Sequence, residues 1–91
     1  AVFMPYVLRF NRNAIAPKIE RLAAYLRLKP SFEAFLDWAL ALRASLAVPH
    51  TLADLKVSSD RFAEMAGMAC QDPTAGGNPI PLREDDAHRL Y

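Results

Sequence analysis

Few residues of this chain could do chemistry by themselves, and they are scattered along it. The two histidines, His50 and His88, and the single cysteine, Cys70, have no second histidine or cysteine three or four positions away. Metal ligands on helices usually show such spacing, and a reactive cysteine usually has a histidine or a second cysteine as its partner. We therefore expect no metal ligand and no catalytic residue in this chain, and no catalysis by the chain alone.

One other pattern that can mark a site is better interpreted as structure, and two others are absent. The acidic residues Glu84, Asp85 and Asp86 stand at the predicted start of a helix, where carboxylates complement the helix dipole. Neither GxGxxG nor GxxxxGK[ST], the glycine patterns that cradle phosphate groups, occurs in the chain. We therefore expect no nucleotide cofactor to bind to these residues alone.

The segment DPTAGGNPIP at residues 72–81 is the most unusual stretch of the sequence. Its prolines fix φ, whereas Gly76 and Gly77 permit positive φ or a close approach of the backbone to another group. Such a loop is conformationally restricted, and it serves either as a connector between helices or as one wall of a site. Composition favours the connector but leaves both interpretations open.

Composition excludes several classes of protein. The 91 residues make one domain at most, and 53% of them are hydrophobic, which suggests that some apolar surface meets another part of a longer polypeptide. Eleven basic and ten acidic side chains are interspersed, giving a net charge of +1 and no basic stripe for nucleic acid or a membrane surface. A single cysteine fits a reducing compartment, so we expect a cytoplasmic protein.

The 3.6-residue spacing of apolar residues predicts an all-α fold, a compact bundle of about five helices with no convincing strand. Ser31 is the expected N-cap of the longest helix, and Pro17 the expected first-turn residue of the helix before it. Asn11 is expected to end the first helix, which is taken to run already at the start of the chain. The predicted helices are 1–10, 14–28, 32–47, 60–70 and 82–91, with a short capped turn at 51–54.

The longest helix should be covered on two faces. One face is lined by six apolar residues and the other by two, so this helix is the expected centre of the bundle. The first face carries Phe32, Phe35, Leu36, Ala39, Leu40 and Leu46, and the second Trp38 and Leu42.

Three segments in series resemble motifs of the iron-containing (group III) alcohol dehydrogenase family. MPYVLRFN at residues 4–11 is similar to the family's LPYVLRFN segment. FLDW followed by LR, then VPHTLADL at residues 48–55, is similar to its LR…GIPxTLxELG stretch. DPTAGGNPIPL at residues 72–82 resembles its DPxxxGNPRPL loop. The match is in order and covers essentially the whole chain.

The resemblance implies the fold and function of a larger enzyme. Such enzymes join a Rossmann-like domain that binds NAD or NADP to a dehydroquinate-synthase-like helical domain that holds iron or another divalent metal through one Asp and three His. Residues 1–91 would form the C-terminal part of that helical domain. By this resemblance the cofactor domain and the metal ligands precede Ala1 and are absent here, and His50 and His88 match no ligand. The partners implied are the remainder of the polypeptide and further copies of it in a homo-oligomer.

Only a few site residues carry over from the family to this sequence. The GNP loop of the family approaches the substrate side of the metal cavity, so Thr74 would line the alcohol pocket, with Gly76, Gly77 and Asn78 shaping the loop. Two positions depart from the family pattern. Ile80 replaces the usual Arg, which puts any charged contact there in doubt, and Arg83 replaces a capping Thr, a change that should cost the last helix about 1 kcal/mol.

The sequence therefore predicts the C-terminal helical segment of an iron-dependent, NAD(P)-linked alcohol dehydrogenase, which interconverts alcohols and aldehydes by hydride transfer. Two alternatives stay open. The first is the related maleylacetate reductase branch of the same superfamily, and the second is a free-standing helical interaction module.

Overall fold

Every regular element of the chain is helical. The computed structural model describes all residues 1–91 and contains no strand. The all-α prediction is therefore confirmed, with four α-helices and two 3-10 helices where about five helices were expected. The elements are α1 (Met4–Tyr25), α2 (Phe32–Ser45), a 3-10 helix (Ser59–Arg61), α3 (Phe62–Gln71), a second 3-10 helix (Pro73–Gly77) and α4 (Glu84–Leu90).

Helix α1 merges the first two predicted helices into one of 22 residues. It begins at Met4, so the prediction that the chain is helical from Ala1 is wrong. Pro5 lies in its first turn, where a backbone N–H would have no partner within the helix, so proline loses no hydrogen bond there. The predicted stop at Asn11 is also wrong, because this residue is buried within the helix and only 3% exposed. Packing here outweighs the weak helix propensity of asparagine.

Pro17 lies inside α1 and not in the first turn of a separate helix. A proline in a helix interior removes one backbone hydrogen bond, and its ring crowds the carbonyl group four residues earlier. The helix nevertheless continues to Tyr25. The sequence pattern correctly predicted helix on both sides of Pro17 but misplaced the boundary.

Helices α1 and α2 pack together as an antiparallel pair. The early residue Tyr6 faces the late residue Arg43, whose guanidinium carbon lies 5.7 Å from the centre of the Tyr6 ring. Further along α1, the Arg12 guanidinium lies 5.0 Å from the Phe32 ring centre and forms an ion pair with Glu33. These helices belong to one compact unit, which comprises mainly Phe3–Val48. Its buried apolar residues are Ala23, Phe32, Phe35, Leu36 and Ala39.

The predicted second face of α2 is not covered within this chain. Trp38 is 38% exposed and Leu42 is 41% exposed, so both lie at the surface. Leu46 was predicted to be in the core but is 65% exposed, because α2 ends at Ser45 and Leu46 is its C-cap. The N-terminal boundary of α2 was predicted correctly: the Ser31 hydroxyl oxygen accepts a hydrogen bond of 3.1 Å from the Ala34 N–H.

Helices α1 and α2 and the turn that begins at Thr51 are each followed by a residue with left-handed backbone conformation, and none of these residues is glycine. In each case the following N–H donates to a carbonyl five residues earlier, which is the bond of a Schellman motif. The residues are Arg27 (φ 60°), Ala47 (φ 51°) and Lys56 (φ 60°). The bonds run from Leu28 N to Ala23 O, Val48 N to Arg43 O and Val57 N to Leu52 O, at 2.9, 3.1 and 3.0 Å.

Two of these positions correspond to glycines in the family pattern GIPxTLxELG, namely Ala47 and Lys56. A Cβ atom strains the left-handed conformation by about 1 kcal/mol, which glycine avoids. We therefore expect Ala47→Gly and Lys56→Gly each to raise the free energy of unfolding by about 0.5–1 kcal/mol, measured by urea denaturation. Ala44→Gly, inside α2, is the matched control and should lower it by a similar amount. Destabilisation by all three substitutions would contradict this account of the helix ends.

Helices α3 and α4 pack together in the second unit, which comprises mainly Pro49–Tyr91. The Phe62 ring centre lies 5.8 Å from that of Tyr91, and the Tyr91 hydroxyl donates to the Met65 carbonyl oxygen at 3.5 Å. Ala66 on α3 and Ala87 on α4 are buried, at 1% and 2% exposure. Phe62 and Met65 on α3 are half-buried.

The capped turn predicted at residues 51–54 is confirmed. Thr51 and Asp54 cap each other: the Asp54 N–H donates to the Thr51 hydroxyl oxygen at 3.1 Å, and the Thr51 N–H donates to the Asp54 carboxylate at 3.0 Å. These bonds lower the pKa of Asp54. No helix follows the cap, because the chain turns at Lys56 with a left-handed φ.

Helix α4 has only half of a capping box. The Asp86 carboxylate accepts a hydrogen bond of 3.3 Å from the Arg83 N–H. The reciprocal bond cannot form, because a guanidinium group has no acceptor atom. The prediction that Arg83 provides no side-chain cap is therefore confirmed.

Candidate functional site

The segment 72–81 joins α3 to α4, and its first half is helical. Residues Pro73–Gly77 form a 3-10 helix, so the prediction of an irregular loop is wrong for this half. Asp72 is its N-cap and Pro73 its first residue, which suits proline because no N–H is needed there. Beyond the segment, the Cys70 thiol donates to the Leu82 carbonyl oxygen at 3.7 Å. The segment is thus held at both ends by α3 and by the chain that leads into α4.

Thr74 is exposed and is held by Asp72 through two hydrogen bonds. Its N–H donates to Asp72 Oδ1 at 2.7 Å, and its hydroxyl group donates to the same oxygen. These bonds, first that of the side chain and then that of the backbone, lower the pKa of the Asp72 carboxyl. Because folding lowers this pKa, the stabilisation is present above the unfolded pKa of about 3.9 and is lost as the pH falls through the folded value.

The backbone at the two glycines of the segment is exposed. Neither Gly76 nor Gly77 adopts a positive φ, so the left-handed freedom that the sequence allowed is not used. A Cβ atom added at either position would meet no other atom within 4 Å. Asn78 is half-buried, and its side-chain amide donates to the Ile80 carbonyl oxygen at 2.5 Å. The structure therefore places Thr74, Gly76, Gly77 and Asn78 on one short, well-bonded segment with an exposed backbone, and their role in a pocket stays a prediction.

The two histidines lie outside this segment, one in the turn before α3 and the other in α4. His50 is exposed in the turn that Asp54 caps, and His88 packs against the Phe62 ring in α4 with ring centres 6.3 Å apart. No three His, Cys, Asp or Glu side chains come together as a metal site would require. A shallow open depression is lined by Asp85, His88 and Arg89, and Arg89 forms an ion pair with Asp86.

Asp72 is the residue of this site that sequence reasoning missed. It fixes both the backbone N–H and the hydroxyl group of Thr74. The signal was present: an aspartate directly before a proline is a typical N-cap followed by a first helical residue. The segment was interpreted only as a loop, so the hydrogen bonds from Thr74 to Asp72 were not predicted.

The model of the Fe-containing alcohol dehydrogenase family, C-terminal, matches residues 1–91, which is the whole chain. The all-helical fold fits this assignment. The chain thus belongs to the C-terminal helical part of that family.

Among curated proteins, the chain is similar to lactaldehyde reductase of Escherichia coli strain K12. The two are 26% identical over 98 aligned positions, which cover 100% of this chain and 26% of the relative. Lactaldehyde reductase of Escherichia coli O157:H7 matches with the same identity and coverage. The chain therefore spans about a quarter of the length of the curated relatives it matches. No solved structure gives a significant match.

A helix that crosses a bilayer must be both long enough and apolar enough. A spanning helix needs roughly 20 mostly apolar residues. None of the helices of this chain meets both requirements.

Proposed function

We propose that these residues form the C-terminal helical part of an iron-dependent, NAD(P)-linked alcohol dehydrogenase that interconverts alcohols and aldehydes in the cytoplasm. The family match over residues 1–91 is the observation that carries the proposal. Similarity to two lactaldehyde reductases, each about four times as long as this chain, supports it. The reaction is thus assigned to the longer polypeptide, and the 91 residues alone are expected to be inactive.

In such an enzyme the metal would polarise the alcohol or aldehyde oxygen, and the nicotinamide would accept or supply the hydride. The side chains of this chain do not fit a metal site, since no three potential ligands come together. Its residues would instead contribute packing and one wall of the substrate cavity. We therefore assign neither cofactor to a residue of this chain.

The wall would be the segment that begins at Asp72. Thr74 would face the substrate, while Gly76, Gly77 and Asn78 would shape the backbone beside it. The support from the structure is local: these residues lie on one hydrogen-bonded segment, and the two glycines leave room for another group to approach. An approach to bare backbone is a common use of glycine beside a ligand.

The proposed partner is the remainder of the same polypeptide, with further copies of it in a homo-oligomer. Three large apolar residues at four-residue spacing support a covered face. Trp38 and Leu42 on α2 and Leu46 at its C-cap are 38%, 41% and 65% exposed. Contiguous apolar patches on a protein surface commonly meet another protein surface. The 53% of hydrophobic residues in the chain is in keeping with such a face.

A deletion experiment tests the proposed function. Three polypeptides are compared: the product of the full reading frame, the same product without residues 1–91, and the 91 residues alone. Each is given Fe²⁺, NADH or NADPH, and a short-chain aldehyde, and nucleotide oxidation is followed by absorbance. We expect turnover only by the full product and no nucleotide binding by the 91 residues alone. Turnover by the 91 residues, or by the product that lacks them, would contradict the proposal.

A further inference from the structure

The peptide bond between Asp72 and Pro73 joins two residue types that together make a backbone chemically weak in acid. Asp72 is followed by proline, whereas the other five aspartates of the chain are not. The proline nitrogen belongs to a tertiary amide without an N–H, and it leaves more readily than an ordinary peptide nitrogen once it is protonated. Both residues are exposed, so acid and water can reach the bond.

The cleavage that this pair permits needs no reactant other than acid and water. A carboxylate oxygen of Asp72 attacks the carbonyl carbon of the same residue and forms a cyclic anhydride. The C–N bond to Pro73 breaks, and its electron pair stays on the proline nitrogen, which takes a proton from the acid. Water then opens the anhydride. The products are a chain that ends at Asp72 with two carboxyl groups and a chain that begins at Pro73 with a secondary amine.

The folded segment opposes this attack. Asp72 Oδ1 accepts hydrogen bonds from the Thr74 N–H at 2.7 Å and from the Thr74 hydroxyl group. An oxygen held by a residue further along the chain must give up these bonds before it can attack the carbonyl carbon of its own residue. The same bonds lower the pKa of Asp72, so the bonded, ionised form persists as the pH falls.

The backbone holds the bond in place as well. The Ala75 N–H donates to the Asp72 carbonyl oxygen at 2.9 Å, which closes the first turn of the 3-10 helix around the bond to Pro73. Cleavage therefore requires the segment to open locally. Its rate should follow the population of the open segment when opening and closing are fast.

We propose that the Asp72–Pro73 bond is an acid-labile site, at which the unfolded protein is cut and the folded protein is protected. The cut separates α3 from α4, and it disconnects Tyr91 from Phe62, whose ring centres lie 5.8 Å apart. Unfolding in acid thus becomes irreversible once this bond is broken. The inference does not depend on the proposed function.

Cleavage is followed on the full-reading-frame polypeptide at one mildly acidic pH, with and without urea. Circular dichroism establishes that the protein is folded without urea, and N-terminal sequencing with mass spectrometry detects the new terminus at Pro73. We expect cleavage at this bond in urea. The rate in the folded protein should be at least about ten-fold lower, because two hydrogen bonds to a charged group must open first.

Variants separate the chemistry of the bond from its protection. Pro73→Ala should abolish cleavage in urea, because it removes the leaving group. Thr74→Val removes the hydroxyl bond and should speed cleavage of the folded protein by about three- to ten-fold, with no change in urea. Thr74→Ser keeps the hydroxyl group and should stay protected. Thr51→Val is the matched control, because Thr51 is also bonded to an aspartate but lies outside the segment, and it should alter neither rate.

The outcomes that contradict the inference are distinct. An intact bond in urea would overturn the lability, and equal rates with and without urea would overturn the protection. A folded Thr74→Val protein that is cut no faster than the unaltered one would overturn the role of the hydroxyl bond. If Thr74→Val does not fold, a Thr74→Ser protein that is folded but unprotected has the same meaning.

Discussion

Replacing Phe32 with alanine should lower the free energy of unfolding of the α1–α2 unit by about 3–4 kcal/mol. Phe32 is 2% exposed, and the Arg12 guanidinium covers its ring at 5.0 Å from the centre. Truncation removes the apolar contacts of the ring, leaves a cavity and deprives Arg12 of its cation–π partner. Small domains have only 5–15 kcal/mol of stability, so the loss is a large share of the total.

Urea denaturation followed by far-ultraviolet circular dichroism measures this change. Tyr25→Ala is the matched control, because it also removes an aromatic ring from the same unit but from a side chain that is 84% exposed. The control should change stability by no more than about 0.5 kcal/mol. A loss below about 1 kcal/mol for Phe32→Ala would show that this ring is not buried between the helices.

Replacing Pro17 with alanine should stabilise the same unit, by about 2 kcal/mol. A proline in a helix interior costs about 3 kcal/mol, of which part is returned because proline also restricts the unfolded chain. The effect is large because Pro17 lies well inside the 22-residue α1. Denaturation of this variant also tests where α1 begins and ends.

Pro30→Ala is the control for Pro17, since Pro30 precedes the N-cap Ser31 and lies in no helix. It should reduce stability by up to about 1 kcal/mol, because it only adds freedom to the unfolded chain. If Pro17→Ala is also neutral or destabilising, Pro17 stands at a helix start as the sequence alone suggested. The continuous α1 would then be wrong.

Some structural elements could be predicted from local signals in the sequence. Ser31 was predicted as the N-cap of α2 because it precedes a stretch of apolar residues with helical spacing. A serine there can accept a hydrogen bond from a backbone N–H of the first turn, and the Ser31 hydroxyl oxygen does so. The Thr51–Asp54 pair was predicted in the same way, from two side chains that can cap each other. Such hydrogen bonds form between residues that are close in the sequence, so they can be predicted from the sequence alone.

Other features depend on tertiary packing or on backbone strain, which the spacing of apolar residues in the sequence does not reveal. Asn11 was predicted to end a helix, yet it is buried inside α1, which packs against α2. Leu46 was placed in the core by its spacing, but α2 ends before it and Ala47 turns the chain with a left-handed φ. Alanine gives no sign that such a turn will form, whereas glycine would have given one.

Only part of the candidate site could be predicted from the sequence. The types of residue at 72–81 predicted a restricted segment, and the family resemblance singled out Thr74, Gly76, Gly77 and Asn78. The direction of the Thr74 hydroxyl bond could not be obtained from composition, because it depends on the backbone that brings Asp72 within hydrogen-bonding distance.

The most direct test of the family-based account is the metal dependence of nucleotide oxidation by the full-reading-frame polypeptide. NADH or NADPH consumption with a short-chain aldehyde is measured as purified, after removal of metal by a chelator, and after addition of Fe²⁺. We predict turnover that is lost on chelation and recovered with Fe²⁺. Turnover that survives complete removal of metal, or no turnover with either nucleotide after Fe²⁺ is added, would contradict the account.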